Sequence, residues 1–422
     1  MLKILNASEH PLSPESVSPH ACLVVQTLQN AGFQAFIVGG GVRDLMMKLK
    51  PKDFDIATDA RPEQIRQLFR NSRLIGRRFR IAHVYFHHEI LEVSTFRADH
   101  SNAQGTEEAH TDKDGIILRD NVFGSFEQDA KRRDFTINAL YYDPSHNQLW
   151  DPENALKDLQ TKQIRLLGEP KDRFTEDPIR VLRAIRFANK LNFQLEKETL
   201  NAIPNAIPLL HSIPSGRRFD EYTKLFLHGQ AQKNFDSLIK IGALDPLFPG
   251  LTANLQDPPF HQLVYQALKN TDERLSEGKH VNPAFLIATF LWKTLQQKKN
   301  KIQAETGKFE ASAFHQAIRE TIQEQIQHTA MPRHFSLGIK EIWAMQPPLE
   351  RRRPRQIPRL LKHPKFRAAY DFLSMRNGEA SVGTELVNWW TKIQTSSPQE
   401  QKNMIKLAAT LSQTNKKYPR QT

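Results

Sequence analysis

Two aspartates separated by a single residue, Asp53 and Asp55 in the run DFDIAT, carry the most pointed chemistry in this sequence. Side chains alternate along a strand, so the pair would share one face with Cα atoms about 6.6 Å apart, while Phe54 and Ile56 turn to the core. Two carboxylates projecting together are costly without a cation. A pair of Mg²⁺ ions about 3.5 to 4 Å apart, bridged by such carboxylates and by triphosphate oxygens, is the standard solution for in-line nucleotidyl transfer. An exposed edge strand bearing two solvated aspartates is the alternative that D-x-D alone leaves open.

What precedes the pair weighs against that alternative. FIVGGGVRD reads as a buried strand (Phe36, Ile37, Val38), a turn of three glycines (Gly39, Gly40, Gly41) and a helix entered at Val42. Glycine lets backbone approach a phosphate, and the following helix N-terminus adds oriented N–H groups. Arg43 would offer a fork to a phosphate oxygen. Glu92, between Leu91 and Val93 in ILEVSTFRA, is either a third acid facing the same cleft or a solvated edge residue. Downstream, DAKRRDFTINALYYD crowds Arg132, Arg133, Asp134 and Asn138 against Phe135, Ile137 and Leu140. Such groups could fix ribose and phosphates, or form an ordinary ion pair of little worth.

A second constellation follows. Glu176-Asp177-Pro178-Ile179-Arg180 opens a helix with acids in its first turn and proline near its first position. It continues as VLRAIRFANKL, with Val181, Ile185 and Ala188 on one stripe and Arg180, Arg183 and Arg186 on another. A solvated face paired with nearby acids is the usual explanation of such a stripe. Hydrogen-bond complementarity offers a sharper one: Asp177 would accept from an exocyclic amine and Arg180 would donate to a ring nitrogen. Adenine and cytosine fit that pattern, whereas guanine and uracil present the reverse. The device selects A or C, and separating the two requires a size constraint.

The elements that must position these residues are of two kinds. From Ala35 to about Tyr142, short β-branched or aromatic runs alternate with helical stretches such as PEQIRQLF. Beyond about Leu167 the strand signals stop and long helical segments follow, punctuated by prolines 204, 208, 214, 246 and 249. The expected fold is therefore a small mixed α/β head followed by an all-helical remainder. Its expected divisions are a catalytic head over 1–150, a base-recognising neck over 151–215, a helical body over 216–330 and a basic region over 331–422.

Composition is compatible with this division. The 422 residues are 39% hydrophobic and 25% charged, enough for several packed cores, and no run of about 18 apolar residues offers a membrane span. Lysine and arginine total 59 against 46 acids, a net charge of +13, so polyanions are the first partners to consider. The single cysteine, Cys22, excludes an intrachain disulfide and a cysteine metal cluster. Together with an N-terminus lacking secretory or mitochondrial features, it leads to the expectation of a reducing, cytoplasmic setting.

The ordered set GGGVRD, DFDIAT, RRDFTINAL, DPENALKDLQTKQIRLLG and EDPIRVLRAIRFA resembles the class II nucleotidyltransferases that add nucleotides to RNA 3′ ends. That family holds CCA-adding tRNA nucleotidyltransferases and bacterial poly(A) polymerases. LFRNSRLIGRRFRIAHVYF, IPSGRRFDEYTKLF, LDPLFP, FSLGIKEIWAMQ, LKHPKFRAAYDFLSMR and LVNWW are similar to the poly(A) polymerase branch. The resemblance implies template-independent transfer of AMP from ATP to RNA, in mRNA processing and decay, with Mg²⁺ held by Asp53 and Asp55. It places Asp134 in the active site, Gly39, Gly40, Arg43, Arg133, Asp177, Arg180 and Arg183 around the nucleotide, and the base-reading role on Asp177 with Arg180. A CCA-adding enzyme, or a catalytically inactive RNA-binding protein, is the alternative; intact Asp53, Asp55 and Asp134 argue against the second.

One departure stands out. Asn154 and Ala155 occupy the place where the family usually has two glycines. Asparagine tolerates positive φ, so the turn is expected to survive.

The basic surplus is concentrated between Met331 and Arg367. Arg351, Arg352, Arg353, Arg355 and Lys365 lie there, opposed only by Glu341 and Glu350. Interleaved Trp343, Phe366 and Tyr370 would supply stacking planes for single-stranded RNA if exposed, but helix-core positions are the expectation for these aromatics, with the arginines on RNA. RNA-decay factors such as a helicase or nuclease are possible protein partners, and no integral membrane segment is expected.

Overall fold

The computed structural model describes residues 2–76, 80–98, 109–111, 117–120, 122–379 and 381–417. The chain divides at Leu209–Leu210 into two compact units, and each is described by itself.

The first unit is built on an eight-stranded sheet. Its strands are β1 (Lys3–Leu5), β2 (Ala35–Val38), β3 (Asp55–Thr58), β4 (Ser72–Ile75), β5 (Ile81–Phe86), β6 (Glu89–Thr95), β7 (Tyr141–Asp143) and β8 (Gln148–Asp151), in the order β1-β8-β7-β2-β3-β6-β5-β4. All neighbours are antiparallel except β3 and β6. Its helices are α1 (Pro19–Asn30), α2 (Gly40–Met46), α3 (Pro62–Leu68), α4 (Phe126–Arg132), α5 (Ala155–Thr161), α6 (Pro170–Glu176) and α7 (Ile179–Leu191), followed by further helical turns.

One face of the sheet packs Ile37, Ile56 and Val93 against Val24, Val25 and Leu28 of α1. On the other, Phe36, Val38, Ala57 and Tyr141 meet Phe126 and Ala130 of α4. Burial on both faces explains why β2 reads as the unbroken apolar run AFIV rather than an alternation.

Three boundaries differ from the sequence expectation. Asp53 is not part of the strand: β3 starts at Asp55, opposite Val38. Beyond Val38 the chain turns away through Gly39, at φ +72°, which leaves Asp53 no strand to pair with. The helix after the glycines starts at Gly40 rather than Val42. Third, the acids of EDPIR do not open the neck helix, because Glu176 ends α6 and α7 begins at Ile179. Asp177 between them is extended, at φ −147° and ψ 90°, as the residue before a proline is driven to be. A further small parallel strand pair, Gln163–Ile164 with Gln194–Leu195, joins the segment after α5 to the residues that follow α7.

The departure at residues 154–155 resolves as expected. Asn154 takes the left-handed conformation, at φ 57° and ψ 34°, and the Ala155 N–H donates to Asp151 Oδ1 at 2.7 Å. Ala155 itself is fully buried in the α1-side core.

The described residues of the second unit are helical, from Ser215–Phe226 to Pro398–Lys417. Trp343, Phe366 and Tyr370 are buried, so the aromatics between the arginines are core, while Arg351, Arg353 and Arg355 are exposed. No described helix is long and apolar enough to cross a membrane.

Candidate active site

The β3–β6 register sets Asp55 directly beside Glu92. Their neighbours Ile56 and Val93 face the α1-side core, so both carboxylates project to the opposite side, where the Glu92 side chain stands beside Asp55 and is 52% exposed. Burial pushes the Asp55 carboxyl up to about 6, with the Glu92 and Asp53 charges adding to the rise and Arg133 opposing it. No described cation pairs with Asp53 or Asp55. The repulsion stored there is what a divalent cation would relieve, so the residues present fit one. No group of three or more described His, Cys, Asp or Glu residues forms a ready metal cage. The two aspartates would therefore share a metal shell with water and substrate phosphates, the common habit of Mg²⁺.

The glycine turn lies against this acid group. At Gly41 an added Cβ would stand 3.1 Å from the Asp53 carbonyl oxygen, and at Gly39 it would meet Arg133 Nη1 at 3.4 Å. The bare backbone at Gly41 thus lets the Asp53 segment approach, while Gly39 serves by its positive φ.

Arg43 is placed differently from the open phosphate fork that the sequence suggested. It is 3% exposed. Its Nε and Nη2 donate to Asp44 Oδ1 at 2.8 and 2.6 Å, and its Nη1 to Asn138 Oδ1 at 2.7 Å. The guanidinium also lies 5.2 Å from the Phe187 ring centroid, so it ties α2 to α7 and to the Asn138 turn.

Arg133 is held from beneath. Its Nε donates to Tyr141 Oη at 2.8 Å and its Nη2 to Asp129 Oδ2 at 3.0 Å, and Tyr141 Oη donates to the same Asp129 oxygen at 2.7 Å. Locked in this way, it is the nearby cation that opposes the upward shift at Asp55.

Asp134 and Arg183 are brought together as a half-buried ion pair. Asp134 Oδ2 accepts from Arg183 Nε at 2.8 Å and again from its Nη2, while Oδ1 accepts from the Phe135 N–H at 2.8 Å and Asn138 Nδ2 at 3.0 Å. Burial alone would raise this carboxyl; Arg183 and the three-sided hydrogen bonding hold it well below the usual carboxylate range. The arginine stripe of α7 is thus not a solvated face, since Arg183 reaches the Asp134 turn and Arg180 is buried.

Arg180 is anchored by one nitrogen only. Nη1 donates to Glu176 Oε2 at 2.7 Å and to the Arg173 carbonyl at 2.6 Å, and no described group bonds its Nε or Nη2. Asp177, half-buried at the α6–α7 break, sits one turn before it.

Glu176 and Asp129, the acids that hold Arg180 and Arg133, were not read as partners from the sequence. The signal was there: both pairs are i, i+4 acid-to-arginine spacings, although a break between two helices inside one of them hides the helical relation. Asp44 and Tyr141 had no such signal.

In the second unit, Arg352 is half-buried with φ +46°, 3.4 Å from Glu385 and 5.7 Å from the Trp389 ring centroid. Lys365, also half-buried, precedes the helix Phe366–Met375 without a side-chain bond to its end. The exposed Arg351, Arg353 and Arg355 leave the larger charged surface.

Residues 35–165 match the family described as the poly A polymerase head domain, residues 192–255 the probable RNA and SrmB-binding site of polymerase A, and residues 306–422 the polymerase A arginine-rich C-terminus. The chain is 42% identical over 411 residues to poly(A) polymerase I of Salmonella typhimurium, covering 96% of this chain and 88% of that one. The chain belongs to the poly(A) polymerase I family. The Haemophilus influenzae poly(A) polymerase I is 43% identical over 407 residues, covering 95% of this chain and 90% of the relative. A CCA-adding enzyme of Lactobacillus helveticus is 39% identical over 215 residues, 50% of this chain and 51% of its own. Among solved structures, the Thermotoga maritima CCA-adding enzyme complexed with tRNA superposes with a TM-score of 0.60 at 19% identity, over 93% of this chain and 86% of that one. The poly(A) polymerase I family thus shares the fold of CCA-adding enzymes.

Proposed function

We propose that this chain transfers AMP from ATP to the 3′ end of RNA without a template, with Asp53 and Asp55 holding the metal. The carrying observation is kinship with poly(A) polymerase I along 96% of the chain, including the arginine-rich C-terminus, where the CCA-adding likeness spans half. Labelled ATP offered with an RNA of arbitrary 3′ sequence tests it.

Magnesium bound at Asp53 and Asp55 would supply the charge that neutralises the triphosphate and acidifies the RNA 3′ hydroxyl. The glycine turn brings backbone against the phosphates, and Arg133, fastened by Asp129 and Tyr141, gives them a positive wall that does not reorganise. Asp177 accepts the exocyclic amine of the base. Arg180, pinned through Nη1, aims its remaining nitrogens at the ring acceptor, a contact that adenine satisfies and guanine does not. Arg43, Asn138, Asp134 and Arg183 tie α2, the Asn138 turn and α7 into one rigid frame.

The exposed arginines of residues 351–355 follow the RNA backbone. Changing Arg351, Arg352 and Arg353 together to Ala is expected to weaken binding of long RNA and to flatten its log–log salt slope by about 2, at about 0.7 per phosphate on a single strand. ATP selectivity stays as it was. An unchanged slope removes these residues from the RNA path. The match of residues 192–255 to a probable RNA and SrmB-binding site supports an RNA-decay partner for that segment, and the proposed setting is the cytoplasm.

A further inference from the structure

The sheet face that carries Asp55 continues sideways from the acids. Asp55 pairs with Glu92, Glu92 with His83, and His83 with Arg73, so four side chains form one row across β3, β6, β5 and β4. Three strand spacings make that row ~14 Å long. The alternate residues Ala82, Val84, Leu91 and Val93 are buried in the α1-side core, so the row lies on the face away from it. Tyr85, two residues beyond His83 on β5, shares that face.

Three features of the row ask for a ligand. Tyr85 is 38% exposed, with its ring edge-on to His83 at 6.2 Å between centroids. Arg73 is exposed, has no carboxylate partner among the described residues, and holds its guanidinium 5.9 Å from the Tyr85 ring centroid. His83 Nε2 is buried and makes no hydrogen bond; Glu92 Oε1 is 3.4 Å away, off the direction a hydrogen bond needs. A buried ring nitrogen with an unmet bond is unfavourable unless something else completes it. An unpaired cation, an exposed aromatic plane and an unmet polar atom, leading straight into the catalytic acids, are the parts of a single-stranded nucleic acid platform. Ile90 lies on the same face beside Tyr85 and is exposed, but a cation and an unmet ring nitrogen next to an aromatic plane match phosphate and base better than an apolar protein surface.

We infer that this row seats the 3′-terminal nucleotides of the acceptor RNA, with Tyr85 stacked on a base, Arg73 on a phosphate and His83 bonded to the sugar or phosphate, so that the 3′ hydroxyl arrives at Asp55. The inference rests on the adenylyl-transfer reading above and assigns that reaction its second substrate's path.

The test uses the full chain and a short oligoadenylate with a free 3′ hydroxyl. Tyr85→Ala and Arg73→Ala each raise the KM for the oligoadenylate about tenfold, the loss of one stack or one phosphate contact, and leave the KM for ATP unchanged. Tyr85→Phe, which keeps the ring, restores the wild-type value. Fluorescence anisotropy of the labelled oligoadenylate in EDTA, where no turnover occurs, gives the same ratios. Unchanged primer KM and affinity in both alanine variants, or an ATP KM that rises in step with the primer KM, overturns the assignment. If the wild-type protein adds no AMP, the activity reading falls, and the anisotropy ratios still decide the platform.

Discussion

Asp55→Ala is expected to abolish AMP incorporation, by at least about a thousandfold, because on the proposed assignment it removes one of the two ligands that would hold the metal where charge develops. Asp53→Ala does the same. Long-RNA binding persists in both, since the arginine-rich C-terminus is in the other unit. Asp55→Asn separates this from a folding defect. The folded-state carboxyl is raised to about 6 from an ordinary 3.8, so at neutral pH its charge opposes folding; that penalty grows as pH rises from 3.8 and is complete above about 6. In metal-free buffer Asp55→Asn is therefore expected to melt no lower than wild type while remaining inactive, the trade of stability for chemistry often met at active sites. Near-normal activity in either alanine variant would sink the metal assignment.

Arg180→Ala lowers kcat/KM for ATP by about 10- to 100-fold, the range of ~1–3 kcal/mol that one well-placed base contact carries. It also narrows the preference for ATP over GTP, because the donor that rejects guanine is gone. Arg180→Lys does not rescue. The native side chain uses one nitrogen on Glu176 and the Arg173 carbonyl, the proposed base contact would use the others, and a single ammonium cannot occupy both places. Competition assays with mixed ATP and GTP check this directly; a variant with unchanged selectivity would return Arg180 to a purely structural role.

Much of the site was legible because its signals are local. The glycine turn, the D-x-D pair and the arginine stripe are each short runs whose residue types limit the backbone or the charge. Asn154 is the same kind of case, since a left-handed position admits few residues. Three things were not legible. Whether Glu92 joins the acids depends on β3 pairing with β6 rather than with another strand, a contact between segments more than 30 residues apart that no window in the sequence contains. The state of Arg43 depends on Asn138 and Phe187 arriving from two other elements, so a residue beside a phosphate-type turn became an internal tie. Pro178 then split one apparent helix into two, which moved Glu176 from a helix start to the anchor of Arg180. Local chemistry named the parts, and non-local register decided which of them come together.

On the proposed function, the acid pair and the Asp177–Arg180 pair perform adenylation of general RNA. The direct measurement offers the purified protein labelled ATP or labelled CTP, singly, with Mg²⁺ and either an arbitrary single-stranded RNA or a tRNA lacking its CCA terminus. The account predicts repeated AMP addition to the arbitrary RNA and little CMP addition to either acceptor. CMP addition confined to the truncated tRNA would make the chain a CCA-adding enzyme, and no incorporation of either nucleotide would make it an RNA-binding protein without this activity.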